Sequence, residues 1–161
     1  MRGGALPPAL LAAALGFALA FAPRRAFAPA ILAFCVLAAA GSRLRPDAHW
    51  ADAVFYGCWA SVIVTALSVH LPKGVNIWVA QGLAANAGIW AGLVIAVAGA
   101  PLDLAKSLPL VLICLPAAWL IQRRFQIAIK VVASWLIAIS LLAAALPATT
   151  PTPGYVGDHM E

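Results

Sequence analysis

Six long apolar stretches alternate with short polar connectors along the chain. A helix of about 20 apolar residues crosses the hydrocarbon core of a bilayer, so each stretch is a candidate transmembrane helix. The pattern predicts an all-α polytopic membrane protein with about six transmembrane helices arranged as three hairpins. The predicted spans are residues 5–22, 26–41, 49–71, 75–100, 108–122 and 126–146.

Short spans and prolines add detail to this pattern. The first, second and fifth spans are short for a bilayer core of about 30 Å, which indicates local thinning or packing within a larger assembly. Pro116 lies inside the fifth span, where it removes a backbone hydrogen bond, so we expect a kink. The first 22 residues imitate a signal peptide, but Pro23 follows at once and should hinder cleavage, so we expect a retained helix.

Composition supports a membrane protein with a single membrane domain over residues 1–147. Hydrophobic residues make up 65% of the 161 residues and charged residues 9%, too few polar groups to coat a soluble globule. Residues 148–161 form a predicted extended hydrophilic tail. The net charge of +5 comes from bases at the ends of apolar stretches, where they anchor helices to lipid headgroups. We therefore expect membrane lipids as partners and no nucleic acid.

The charged residues separate into two groups when the six spans are drawn. One side carries only bases: Arg24, Arg25, Lys73, Arg123, Arg124 and Lys130. The other side carries four bases and all five acids: Arg2, Arg43, Arg45, Lys106, Asp47, Asp52, Asp103, Asp158 and Glu161. The positive-inside rule places the six-base side in the cytoplasm. The expected location is a bacterial-type inner membrane, with both termini outside.

The third span carries a candidate cation or proton site at its outer end. Residues at intervals of three and four place both of its histidines and its only acid on one helical stripe: His49, Asp52, Tyr56, Trp59, Ile63, Ala66 and His70. His49 and Asp52 lie one turn apart, close enough to share a proton or a cation, and Asp47 belongs to the same segment. The alternative is an interfacial Asp52 that caps the helix or pairs with Arg43 or Arg45.

The end of the chain offers further possible ligands on the same side of the membrane. Asp158 and His159 lie within four residues of the terminal carboxylate, a cluster that could capture a divalent or copper ion. An ordinary solvated terminus explains the same residues. We predict no cofactor, and a metal ion only as an alternative. The three isolated cysteines fit no disulfide or zinc spacing and are expected to be small buried hydrophobes.

The fourth span has a ridge of small residues at every fourth position: Ala84, Gly88, Gly92 and Ala96. Such a ridge allows a second helix to approach closely, either within the chain or from a partner or a second copy. Asn86 is the deepest polar residue of this span and should need a hydrogen-bond partner on a neighbouring helix. Lys130 lies about a turn inside the sixth span. It could line a vestibule, contact lipid phosphate or extend to the headgroups.

No pattern of catalytic residues accompanies these features, so an enzyme is not expected. Two hypotheses remain. The first is a small non-catalytic integral membrane subunit or scaffold of a larger membrane complex, indicated by the short helices and the small-residue ridge. The second is a small transporter or channel for a cation or a proton-coupled solute, indicated by the outer acidic and histidine residues.

Overall fold

The computed structural model describes residues 6–44, 46–72 and 74–149, and these are all-α. Seven α-helices follow one another: α1 (Leu6–Ala20), α2 (Phe27–Gly41), α3 (Ala51–Ser68), α4 (Ile77–Ala98), α5 (Pro101–Ser107), α6 (Cys114–Gln122) and α7 (Gln126–Thr149). Short 3-10 turns over Arg24–Ala26 and Ala48–Trp50 precede α2 and α3, and a longer one over Leu108–Ile113 joins α5 to α6. Helices α5 and α6 thus form one continuous helical segment, and the fold has six such segments.

Five of the helical segments are long and apolar enough to cross a membrane: Arg24–Gly41, Ala51–Ser68, Ile77–Ala98, Leu102–Gln122 and Gln126–Leu146. Helix α1 is a shorter apolar helix. The predicted all-α architecture with six apolar helices is therefore confirmed. Five long apolar helices indicate an integral membrane protein.

Helix α1 lies at the centre of the fold. Helix α1 contacts α3, α4 and the segment from α5 to α6. Leu11, Leu15 and Leu19 are completely buried on it, and so are Ala12, Ala14 and Ala18. A helix that is apolar on all sides is typically buried, and α1 follows that rule. Gly16 allows a close approach to the 3-10 turn, because a Cβ there would lie 3.0 Å from the Val111 carbonyl oxygen.

Neighbours in sequence are not always the closest neighbours in space. Helix α2 packs mainly along α4, and α7 packs mainly along α3. The α2–α4 contact uses the predicted small-residue ridge: a Cβ at Gly88 would lie 2.7 Å from the Phe34 carbonyl oxygen. Ala84 is completely buried, whereas Ala96 is half-buried. The ridge therefore holds two helices of the same chain together.

The fifth segment begins earlier than the predicted span of 108–122. Helix α5 starts at Pro101, and the Asp103 Oδ2 accepts a hydrogen bond from the Ala100 backbone N–H at 3.2 Å. This bond satisfies a free N–H at the helix start, as an N-terminal cap does. The α-helix then gives way to 3-10 geometry over Leu108–Ile113, which contains Pro109 and ends three residues before Pro116. The departure from α-helical geometry lies next to the expected kink.

The two ends of the helical bundle differ in charge. The turn after α1 meets the turn after α3, where the Val75 N–H lies 3.4 Å from the Phe21 carbonyl oxygen. Arg24, Arg25, Arg123 and Arg124 are at this basic end. The three described acids are at the opposite, acidic end: Asp47, Asp52 and Asp103. The separation found in the sequence is therefore retained in space, while Arg2, Arg45, Lys73, Asp158 and Glu161 lie outside the described residues.

Candidate functional site

A hydrogen-bonded polar group joins α3 and α4 near their midpoints. The Asn86 Nδ2 donates to the Ser61 Oγ at 2.6 Å, and the Trp90 Nε1 donates to the Asn86 Oδ1 at 3.1 Å. Asn86 is the tenth of the 22 residues of α4, and Ser61 is the eleventh of the 18 residues of α3. The prediction that Asn86 needs a partner on a neighbouring helix is confirmed.

This polar group lines a groove on the outside of the bundle, which we call the α3–α4 groove. Its volume is about 370 Å³, and its lining residues are Gly57, Ala60, Ser61, Val64, Gly82, Leu83, Asn86 and Trp90. Ala60, Val64 and Gly82 are exposed. A Cβ added at Gly82 would have no atom within 4 Å. The groove is therefore shallow-walled, built from small residues and open to whatever surrounds the helices.

The Trp90 side chain closes the α3–α4 groove on the side nearer the acidic end of the bundle. Its indole ring lies directly on Gly57, so that a Cβ at Gly57 would overlap the ring. Glycine is needed here for space, since any side chain would displace the indole. On the far side of Trp90, toward the acidic end, lies a second hollow of about 360 Å³. Its lining residues are Pro46, Asp47, Trp50, Ala53, Val54, Trp90 and Leu93.

The structure places the predicted cation-site residues in two groups. The His49 Nδ1 lies 4.0 Å from the Asp47 Oδ2, and both side chains are largely exposed, at 68% and 82%. Asp52 lines a different hollow, together with Phe55, Val94 and other apolar residues. No group of three His, Cys, Asp or Glu side chains able to hold a metal occurs within the described residues. Asp158 and His159 lie outside them.

The predicted stripe of α3 does not form one polar surface. His49 precedes the helix in a 3-10 turn, and His70 follows it, because α3 ends at Ser68. Tyr56 is exposed, whereas Trp59 is buried. The stripe lies along the boundary between the exposed and buried sides of α3, so its residues have different surroundings. The helical period alone does not show which residues of a stripe are covered by neighbouring helices.

Three buried polar atoms lack hydrogen-bond partners within the described residues: Trp59 Nε1, Thr65 Oγ1 and Gln81 Nε2. Trp59 and Thr65 are six residues apart on α3, which rotates them by about 120° relative to each other. Gln81 belongs to α4. The spacing of these three residues does not predict that their polar atoms lie buried without partners. Within the described chain, they do not extend the Asn86 group into a continuous polar path.

Lys130 lies at the basic end, half-buried near the start of α7. One turn further along, the Ser134 Oγ donates to the Lys130 carbonyl oxygen at 3.0 Å. The same hydroxyl lies 3.3 Å from the His70 Nε2. This contact joins His70 and Ser134, which are 64 positions apart in the sequence, and it places His70 beside the face of α7 that carries Lys130.

The small-residue ridge is unavailable to a partner at its centre. A Cβ at Gly92 would lie 2.6 Å from the Ala38 carbonyl oxygen and 2.8 Å from the Gly41 Cα, so α2 already covers this face. A partner helix would have to bind elsewhere, and the α3–α4 groove is an open position on α4. Comparisons with protein-family models, curated proteins and solved structures find no match to this chain, so its function must be argued from this geometry.

Proposed function

We propose that this chain is a small non-catalytic subunit or scaffold of a larger membrane complex, which binds a transmembrane helix of its partner in the α3–α4 groove. The observation that supports this proposal is the half-buried Asn86, which lies at the middle of α4 and faces an open groove between two apolar helices. The proposed setting is a bacterial-type inner membrane with both termini outside. The excess of bases at one end supports that orientation.

Hydrogen bonding favours a protein occupant of the α3–α4 groove. An asparagine amide has two N–H donors and an oxygen that can accept two bonds. Within the described residues, Asn86 donates once to Ser61 and accepts once from Trp90. One N–H and one acceptor position of the Asn86 amide therefore remain, at a depth where lipid tails offer no hydrogen-bond partner. A helix that carries a hydrogen-bonding side chain at the same depth would satisfy it.

The shape of the groove favours the same occupant. Gly82 leaves open space above α4, and Ala60 and Gly57 keep the wall formed by α3 low. Small residues allow a helix to approach closely and give its larger side chains a hollow to fill. Packing, which drives helix association in lipid, is thereby available on both sides of Asn86. The proposed partner is an apolar helix with a bulky side chain opposite Gly82 and a polar one opposite Asn86.

Co-purification from native membranes in mild detergent tests this function. We expect the wild-type chain to retain a membrane protein that Asn86→Leu loses, because leucine fills a similar volume without hydrogen bonds. Ile89→Leu is the matched control, since Ile89 is exposed one turn away on α4. Retention that is equal for the wild type and Asn86→Leu would contradict the proposal.

The second hollow supports a second candidate function, a transporter or channel for a cation or a proton-coupled solute. Asp47, Trp50 and Trp90 line this hollow, and a carboxylate beside indole rings is suited to an organic cation. Cation flux in reconstituted vesicles tests this candidate. We expect Asp47→Asn and His49→Ala to lower the flux, with Lys106→Gln as the control. Full flux in Asp47→Asn, His49→Ala and Asp52→Asn would contradict it.

A further inference from the structure

The seam between the end of α3 and the start of α7 carries three polar side chains side by side. The Ser134 Oγ lies 3.3 Å from the His70 Nε2, and Ser134 and Lys130 are one turn apart on α7. His70 and Ser134 are exposed, and Lys130 is half-buried. The Lys130 ammonium has three N–H donors, whereas the single hydroxyl hydrogen of Ser134 is donated to the Lys130 carbonyl oxygen and its oxygen lies against the His70 ring. This group, which we call the α3–α7 seam site, is thus a lysine ammonium beside two neutral polar side chains.

The depth of the α3–α7 seam site matches a lipid headgroup. Ser134 lies eight residues after the start of α7, about 12 Å along the helix axis. It meets His70, two residues after α3 ends. Helix α7 therefore extends beyond α3 at the basic end, and Lys130 lies on the extending part. A headgroup can lie beside α7 above the end of α3, at the level where lysine side chains reach phosphate.

The charge around the α3–α7 seam site selects an anionic ligand. Arg24, Arg25, Arg123 and Arg124 are at the same end of the bundle, and all four are exposed. The carboxylate side chains of the described residues, Asp47, Asp52 and Asp103, are all at the opposite end. A zwitterionic headgroup would bring an ammonium group that finds no carboxylate here. A headgroup with net negative charge meets only bases and neutral donors.

We propose that the α3–α7 seam site binds the headgroup phosphate of an anionic phospholipid, with Lys130 as the charged contact and hydrogen-bond donor and with Ser134 and His70 as the polar side chains beside it. This site is separate from the α3–α4 groove and does not depend on a protein partner. Bound lipid would fix the start of α7 against α3, where few other elements support it. Only 22% of the apolar span of α7 is buried within the chain.

Native mass spectrometry of the purified chain with added phosphatidylglycerol or phosphatidylcholine tests this site. We expect tighter binding of phosphatidylglycerol, and about a fivefold loss of its affinity in Lys130→Gln, since one base near a membrane surface contributes about 1 kcal/mol. Lys106→Gln removes an equal charge at the acidic end and should leave the affinity unchanged. Lys130→Arg should retain binding.

Three results would overturn the proposal. These are equal binding of the two lipids, equal losses in Lys130→Gln and Lys106→Gln, and displacement of the lipid by inorganic phosphate, which would indicate a site for the free anion. Should Lys130→Gln fail to fold, the salt dependence of binding to the wild-type chain provides the comparison. Added ammonium acetate should weaken phosphatidylglycerol binding and leave phosphatidylcholine binding unchanged, because salt screens the attraction between bases and a net negative headgroup. A preference that salt does not alter would also overturn the proposal.

Discussion

Helix α4 has two seams that use glycine in opposite ways. Toward α2, Gly88 and Gly92 lie against backbone atoms of the neighbouring helix, so that an added Cβ would lie 2.6 to 2.8 Å from them. Toward α3, an added Cβ at Gly82 would meet nothing within 4 Å, and the seam contains Asn86 instead. The first seam is closed by packing of backbone on backbone. The second is open and joined by side-chain hydrogen bonds.

This contrast separates the residues that hold the chain together from those available to another molecule. Close packing in a membrane depends on surfaces that leave no gap, because lipid replaces any contact that is lost. The α2–α4 seam meets that requirement within the chain. The α3–α4 groove meets it only when a further helix fills the space. We therefore expect substitutions in the first seam to change folding, and those in the second to change association.

The largest expected effect is that of Gly92→Ala. Its Cβ would meet the Ala38 carbonyl oxygen, the Gly41 Cα and the Ser42 nitrogen, all backbone atoms that cannot rotate away. We expect the free energy of unfolding to fall by about 3 kcal/mol, the upper range for overpacking. Unfolding in mixed detergent micelles measures it. A loss no greater than that of Gly82→Ala would remove the distinction between the two seams.

Asn86→Leu should affect the isolated chain less than Gly92→Ala does. The substitution removes the hydrogen bonds to Ser61 and Trp90, and a transmembrane hydrogen bond contributes about 0.6 kcal/mol on average. We expect a loss of about 1 kcal/mol in the same unfolding assay. A double-mutant cycle with Ser61→Ala isolates the bond between the helices. No coupling in that cycle would show that the bond does not stabilise the α3–α4 seam.

Gly57→Ala tests whether Trp90 separates the α3–α4 groove from the hollow beside Asp47. The added methyl would overlap the end of a side chain, which can move, so the cost in unfolding free energy should stay near or below about 1 kcal/mol. The indole should leave Gly57 and lose its bond to Asn86. The fluorescence of Trp90, obtained by difference from a Trp90→Phe variant, should change. An unchanged signal would place Trp90 elsewhere.

Gly82→Ala should have the smallest effect on stability. Its methyl group would enter open space, and alanine favours helix over glycine by about 1 kcal/mol at most. We expect the unfolding free energy to be unchanged or slightly higher. Gly82→Leu should also fold normally but fill the α3–α4 groove, so that it loses the co-purifying protein. A strongly destabilised Gly82→Ala would mean that the groove is already occupied within the chain.

The apolar pattern was sufficient to predict the helices and the needs of single residues. A run of about 20 apolar residues has few alternatives to a transmembrane helix, and a deep asparagine requires a partner wherever it lies. The pattern could not tell which helix covers the Gly88 and Gly92 ridge. A close approach by α2, by α3 or by a second copy needs the same small residues, and only the tertiary arrangement chooses α2.

Two features of the structure were not predicted from the sequence, and both involve polar side chains. Because Asp103 and Lys106 are charged, residues 101–107 were predicted to be a polar loop between two spans. In the structure the Asp103 carboxylate caps the first turn of α5, which starts at Pro101. His70 and Ser134 come together only because α7 returns alongside α3. Their separation of 64 residues leaves no periodic signal. Contacts of this kind depend on how helices pack, which local patterns do not encode.

Site-specific photocrosslinking in native membranes tests the proposed open groove most directly. A photoreactive amino acid at Val64 would lie in the α3–α4 groove, and one at Leu32 would lie on the exposed side of α2. We expect protein adducts from Val64, mapped to a transmembrane segment and abolished by Asn86→Leu, and none from Leu32. Adducts that are equal at the two positions, or that persist in Asn86→Leu, would contradict a partner helix in this groove.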